Sequence, residues 1–112
     1  MIKKRDIAFE VKDWNSRTVT LLKSTIKNHV GLYHFDELYV VDALKTMLAS
    51  PIEVIWNPGA KSEQAIYPIR VGDHPYLQVN IKDWGWIKKT LIVSFYGVHA
   101  IPEGKRLWPT KK

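Results

Sequence analysis

From residue 52 onward the apolar residues stop recurring at helical spacing and gather into short runs. "IEVIW", "AIYPIR", "YLQVNI" and "TLIVSFY" are rich in β-branched and aromatic residues, and the segments between them hold the glycines, prolines and asparagines of turns. No connection is long enough for a crossover helix, so these four strands are expected to pair largely antiparallel. A sheet of this kind needs an apolar cover on one face. Pro68 cannot donate to a ladder, which predicts an edge strand or a bulge at that point.

The first half of the chain offers the cover. In "WNSRTVTLLKSTIKNHV", Val19, Leu22, Ile26 and Val30 lie three and four apart, with Asn15 or Ser16 as a cap and Gly31 as a stop, which predicts an amphipathic helix. A second helix is predicted from near Asp36, with Leu38, Val41, Leu44, Met47 and Leu48 inward and Pro51 following its end. "DIAFEV" reads either as a short first strand or as a tail. The expected fold is therefore α+β: two N-terminal helices packed on a mainly antiparallel sheet of about four to five strands.

At 112 residues this is expected to be a single domain, residues 1–112, with its core over about 15–101 and basic tails at both ends. A composition of 46% hydrophobic and 25% charged residues is that of a folded chain. The absence of cysteine excludes disulfides, thiolate metal sites and cysteine nucleophiles. No run approaches the roughly 18 apolar residues of a membrane span. Seventeen Lys and Arg against eleven Asp and Glu give a net charge of +6, which favours a polyanionic partner such as nucleic acid. The surplus sits toward the ends, residues 31–60 holding one basic group against four acidic.

Alternation along "LIVSFYG" puts Leu91, Val93 and Phe95 on one face and Ile92, Ser94 and Tyr96 on the other. If Leu77, Val79 and Ile81 join the first set beneath the helices, Gln78, Asn80 and Lys82 share the second face with Ser94 and Tyr96. That face becomes a polar floor. A tyrosine ring can stack on a base and its hydroxyl can bond phosphate, with serine and the amides as further donors. Water alone also makes the outer face of an antiparallel sheet polar.

On the first predicted helix, Lys23 and Lys27 are four apart and His29 follows near the stop. Cleaving RNA without a metal requires a base for the 2′-hydroxyl, cations or donors for the phosphate and an acid for the leaving 5′-oxygen, and histidine serves either proton task. The same residues also suit a solvated helix face with a favourable end charge. His29, His34, His74 and His99 show no i, i+4 pair on a helix, and no phosphate loop or nucleophile elbow occurs, so neither a metal nor another cofactor is expected. His99, just past Gly97, is placed to reach the floor. Trp84 and Trp86 flank Gly85, where they either stack on a base or cap the edge of the core.

"LLKSTIKNHV", "ASPIEVIW", "HPYLQVNI" and "TLIVSFYG", in that order, resemble the barnase, EndoU, colicin and RelE-like ribonuclease superfamily, most of all the nuclease domains of phage proteins and of polymorphic or contact-dependent bacterial toxins. The resemblance covers roughly residues 15–101 and rests on order and a few positions. It implies a barnase-like, metal-independent endoribonuclease that cleaves RNA, often tRNA, by 2′-hydroxyl attack to leave a cyclic phosphate. It further implies His29, Ser94 and Tyr96 as the catalytic set together with a helical basic residue, most nearly Lys27 or Lys23. Members often carry threonine where Ser94 stands, and a second acid-base residue is missing, a place open to Tyr96 or His99.

The function expected is thus a toxin nuclease, with Lys23, Gln78, Asn80 and His99 contacting RNA or phosphate. It would be delivered into a target-cell cytoplasm, or act in its own, and be held inactive by an acidic immunity protein. The alternative is a nucleic-acid-binding or structural phage module without chemistry. An antitoxin or immunity protein, a third class, is usually acidic, and the charge argues against it.

Overall fold

The computed structural model describes residues 3–27, 37–85 and 89–109. A short 3-10 turn, Lys4–Asp6, leads into β1, Ile7–Lys12, and β2, Thr18–Leu22, which pair antiparallel. Their turn is built by Asp13, whose Oδ1 accepts the backbone N–H groups of Asn15 at 2.9 Å and Arg17 at 3.0 Å. Ser16 takes a left-handed conformation there, φ 57°. An aspartate organising its own turn closes a hairpin where apolar spacing suggested a helix.

This overturns the expectation of two helices ahead of the sheet. Val19 and Leu21, two apart on a strand, are the fully buried apolar residues of the segment, with Thr20 between them buried on the opposite face. Helical structure starts only at residues 23–27. The β-branched run Thr18-Val19-Thr20 suits a pleated surface, and tertiary burial outweighs an apolar period compatible with either state. Asn15 and Ser16 are turn residues, not helix caps.

α1, Glu37–Met47, forms where the second helix was expected and buries Val40 and Leu44, with Leu48 buried just past its end and Val41 and Met47 packed against the same core. After it come β3, Glu53–Asn57; β4, Ser62–Tyr67; β5, Tyr76–Trp84; β6, Lys89–Val98; and β7, Lys105–Trp108. The seven strands form one mixed sheet in the order β1-β2-β6-β5-β4-β3-β7, every pair antiparallel except β2 with β6. That is larger than the sheet expected, because the N-terminal hairpin and β7 add to it. β4 is an interior strand, and Pro68 stands exposed just past its end, neither on an edge nor in a bulge.

The core lies between α1 and one face of the sheet, where Tyr67, Leu77, Val79, Ile81, Ile92 and Phe95 are buried. The Tyr67 hydroxyl donates to the Leu48 carbonyl at 2.7 Å, tying the end of α1 to β4. Burial first, then the negative charges of Asp13 and Glu63, raise the pKa of this phenol well above the ordinary tyrosine range.

The sheet is curled. Arg17, at the foot of β2, reaches across to β4, where Nη1 and Nη2 donate to both Glu63 carboxylate oxygens at 2.9 and 2.6 Å, while Nε and Nη2 donate to Asp13 Oδ2 at 3.0 and 2.7 Å. Trp14 in the same turn meets Trp108 of β7, the opposite edge strand, with ring centroids 5.8 Å apart. Burial acts to lower the Arg17 pKa, but the bonds from Glu63 and Asp13 outweigh it and hold the guanidinium more firmly protonated than usual.

Candidate functional site

The face of the sheet away from α1 carries the polar floor, and a bulge decides its membership. Asn80 pairs with Ser94, but Ile81 pairs with Ile92, so Val93 is a surplus residue in β6. On one side of it Phe95 points into the core and Ser94 and Tyr96 point outward; on the other the parity inverts, burying Ile92 and turning Leu91 to the face of Lys82. Val93 itself is 36% exposed. The simple alternation that set Leu91, Val93 and Phe95 together is therefore corrected: Phe95 is joined in the core by Ile92.

The bulge leaves Gln78, Asn80, Ser94 and Tyr96 in contact. Gln78 Nε2 donates to Asn80 Oδ1 at 2.9 Å and to the Tyr96 hydroxyl oxygen at 3.0 Å. Asn80 Nδ2 donates to Ser94 Oγ at 2.7 Å and to the Tyr96 oxygen at 3.3 Å. Both amide NH2 groups are used within the set. Each hydroxyl oxygen accepts, which leaves the hydroxyl protons of Ser94 and Tyr96 to be given to something else. They lie two strand positions apart, a separation of roughly 7 Å. Gln78 is only 4% exposed, so it holds Tyr96 from below and does not itself meet a ligand.

Above this set is a groove of about 420 Å³ lined by Asn80, Ser94 and Tyr96 together with Ser62, Lys82 and Trp84. Lys82 Nζ stands 5.3 Å from the Trp84 ring centroid, so a cation and an indole share one wall. Trp84 thus faces the groove, whereas Trp86 lies outside the described residues. A second concavity of about 400 Å³, which includes Pro102 and Lys105, shares Asn57 and Gln64 with the first, so the track runs on across β4 and β3 toward β7. Ser62 and Gln64 are contributions the sequence reading missed; their signal is the alternation of polar residues in "SEQAIY", two apart on β4.

The remaining expected site residues divide. Lys23 and Lys27 are exposed on the helical segment and neither lines the groove. His29, with His34, lies outside the described residues. His99 does not reach the floor; it stacks on His74, with ring centroids 4.2 Å apart. Past Trp84 on the outer face, Glu10 accepts from Thr20 at 2.8 Å and Lys89 at 3.4 Å, and the Thr20 bond above all keeps its carboxyl below the usual range despite desolvation.

No helix among the described residues is long and apolar enough to cross a membrane. Neither family models, characterised proteins nor solved structures gave a match to this chain.

Proposed function

We propose that the outer sheet face binds RNA and that the chain is a metal-independent endoribonuclease acting in this groove. The observation that carries the reading is the quartet of Gln78, Asn80, Ser94 and Tyr96, which commits its amides internally and presents two hydroxyl protons to the groove. Two donors on a rigid strand suit the oxygens of one phosphodiester, and an indole and an ammonium beside them suit the neighbouring base and phosphate. In this scheme Ser94 orients the phosphate and Tyr96 stabilises its developing charge or supplies a proton. His29 acts as acid or base, with Lys27 and Lys23 adding positive charge from the helical segment that follows β2. tRNA or another structured RNA is the substrate class, and, as a toxin domain delivered into a target cell, the chain would be held inactive by an acidic immunity protein over this face.

A second reading has its own support. Among the described residues lining the groove, Lys82 and Tyr96 are the only titratable ones, which suits a surface that binds RNA without cleaving it.

One experiment separates the two. Purified protein incubated with tRNA in EDTA is expected to release discrete fragments ending in cyclic phosphate. Tyr96→Phe and His29→Ala each slow cleavage by about 10²-fold or more. A gel shift retained without any cleavage establishes the binder, and neither cleavage nor binding overturns both.

A further inference from the structure

We infer that Asp73, His74 and His99 form a site for a nitrogen-preferring divalent transition metal ion of the Zn2+ class, apart from the RNA groove. One ligand atom from each of the three lies within 4.8 Å of the others. Tetrahedral Zn2+ with bonds of about 2.0–2.1 Å brings its ligands to roughly 3.3 Å from one another. Asp73 Oδ1 stands 3.2 Å from His74 Nδ1, and because Asp73 and His99 are exposed, rotation of their side chains toward His74 Nε2 covers the difference without moving the backbone.

His74 is the fixed member. It closes a tight turn with Val71, their backbones exchanging hydrogen bonds of 3.0 and 2.9 Å, and Gly72 supplies the positive φ of 60° that the turn requires. Its ring rests over Gly97, on the opposite side of β6 from Tyr96, since neighbouring strand residues point to opposite faces. His74 Nδ1 lies 3.2 Å from the Val71 carbonyl. Donation there fixes the tautomer and leaves Nε2 with a free lone pair, the arrangement by which carbonyl groups orient metal-binding histidines.

Two imidazoles and a carboxylate suit Zn2+, Ni2+ or Cu2+, with water completing the shell, and are poor for Mg2+ and Ca2+, which prefer an all-oxygen set. Helical spacing of histidines in the sequence gives no hint of the site, because the turn and the exit of β6 bring together residues from separate parts of the chain. An ion held there clips the 71–74 turn to the segment that leaves β6, and binding to the folded state alone raises its stability.

The test titrates the whole protein with Zn2+ against a competing indicator, with NMR of the four histidine rings and the thermal midpoint as further readouts. One ion per chain, perturbation of two rings and a raised midpoint are expected, with no response to Mg2+. His74→Ala and His99→Ala each weaken binding by about tenfold or more. His99→Ala decides the matter if His74→Ala fails to fold, because the exposed His99 ring leaves no cavity. Absence of Zn2+ binding, or binding undiminished in the H74A/H99A double variant, overturns the site. The proposed RNA cleavage is assayed in EDTA, so the outcome of one experiment does not bear on the other.

Discussion

His74 crosses Gly97 so closely that a Cβ placed on the glycine would stand 2.8 Å from the Cβ of His74, and 3.0 Å from that of Val71. The glycine that ends the apolar run of β6 is therefore a packing requirement. Gly97→Ala forces the 71–74 turn off the sheet, and the expected loss is about 1–3 kcal/mol. Urea unfolding should show a lower midpoint with an unchanged slope.

Arg17 is the bracket between the first turn and β4. Its fork contacts both Asp13, whose side chain is 0% exposed, and Glu63. Removing it leaves a buried carboxylate without its cation, so Arg17→Ala should cost about 3 kcal/mol. Arg17→Lys should recover only part of that, since an ammonium cannot span both carboxylates in the same plane. Denaturant melts of the two variants against the unaltered chain measure the difference.

Alkaline stability follows from Tyr67. The folded state raises its pKa above the ordinary 10.0, so the native protein holds the phenolic proton more tightly than the unfolded chain does. The stabilisation this represents is fully present below about pH 10 and is lost as pH rises beyond it. Ultraviolet titration should show one of the five tyrosines ionising only together with unfolding. Tyr67→Phe should remove that late ionisation while costing about 1–3 kcal/mol near neutrality, from the unpaired Leu48 carbonyl.

The bulge at Val93 sets which side chains of β6 line the groove. If β6 kept the pairing of Leu91 with Lys82 and Ile92 with Ile81 and ran on without a bulge, so that Val93 stood opposite Asn80, Ser94 and Tyr96 would turn toward the core and Phe95 toward solvent. Deleting Val93 joins Ile92 to Ser94 in a regular ladder that still sets Ser94 opposite Asn80 and Tyr96 opposite Gln78, so it should leave RNA binding within about twofold, as should Val93→Thr, which keeps the residue count. Gel shifts and thermal melts of the two variants check this.

Much of the sheet is legible in the sequence. The four runs after residue 52 declare themselves through β-branched residues and the glycine and proline turns between them, and α1 through Leu44 and Leu48 with Pro51 beyond. The quartet on the floor also follows from alternation, for Gln78 and Asn80 directly and for Ser94 and Tyr96 because they lie on one side of the bulge. What stays hidden has local causes. Val19, Leu22 and Ile26 fit a helical period as well as a strand followed by a helix, and the Asp13 side chain that decides between them is invisible to periodicity. β7, "KRLW", is too short and too charged to stand out, and is recruited by pairing with β3. The extra residue at Val93 leaves no compositional mark. The meeting of His74 and His99 depends on how far a turn reaches, which spacing along the chain does not encode.

The curl of the sheet has a consequence for how the chain assembles. β2 finds its inner neighbour only in β6, through Val19 beside Thr90 and Thr20 beside Leu91, and the turn before it rests on Trp108. The β1–β2 hairpin thus waits for strands that lie far later in the chain, while β3, β4 and β5 can zip up through neighbouring hairpins. A nascent chain halted before residue 89 would display Val19 and Leu21 to water on an unclaimed ribbon, the state most prone to aggregate on the way to the native form.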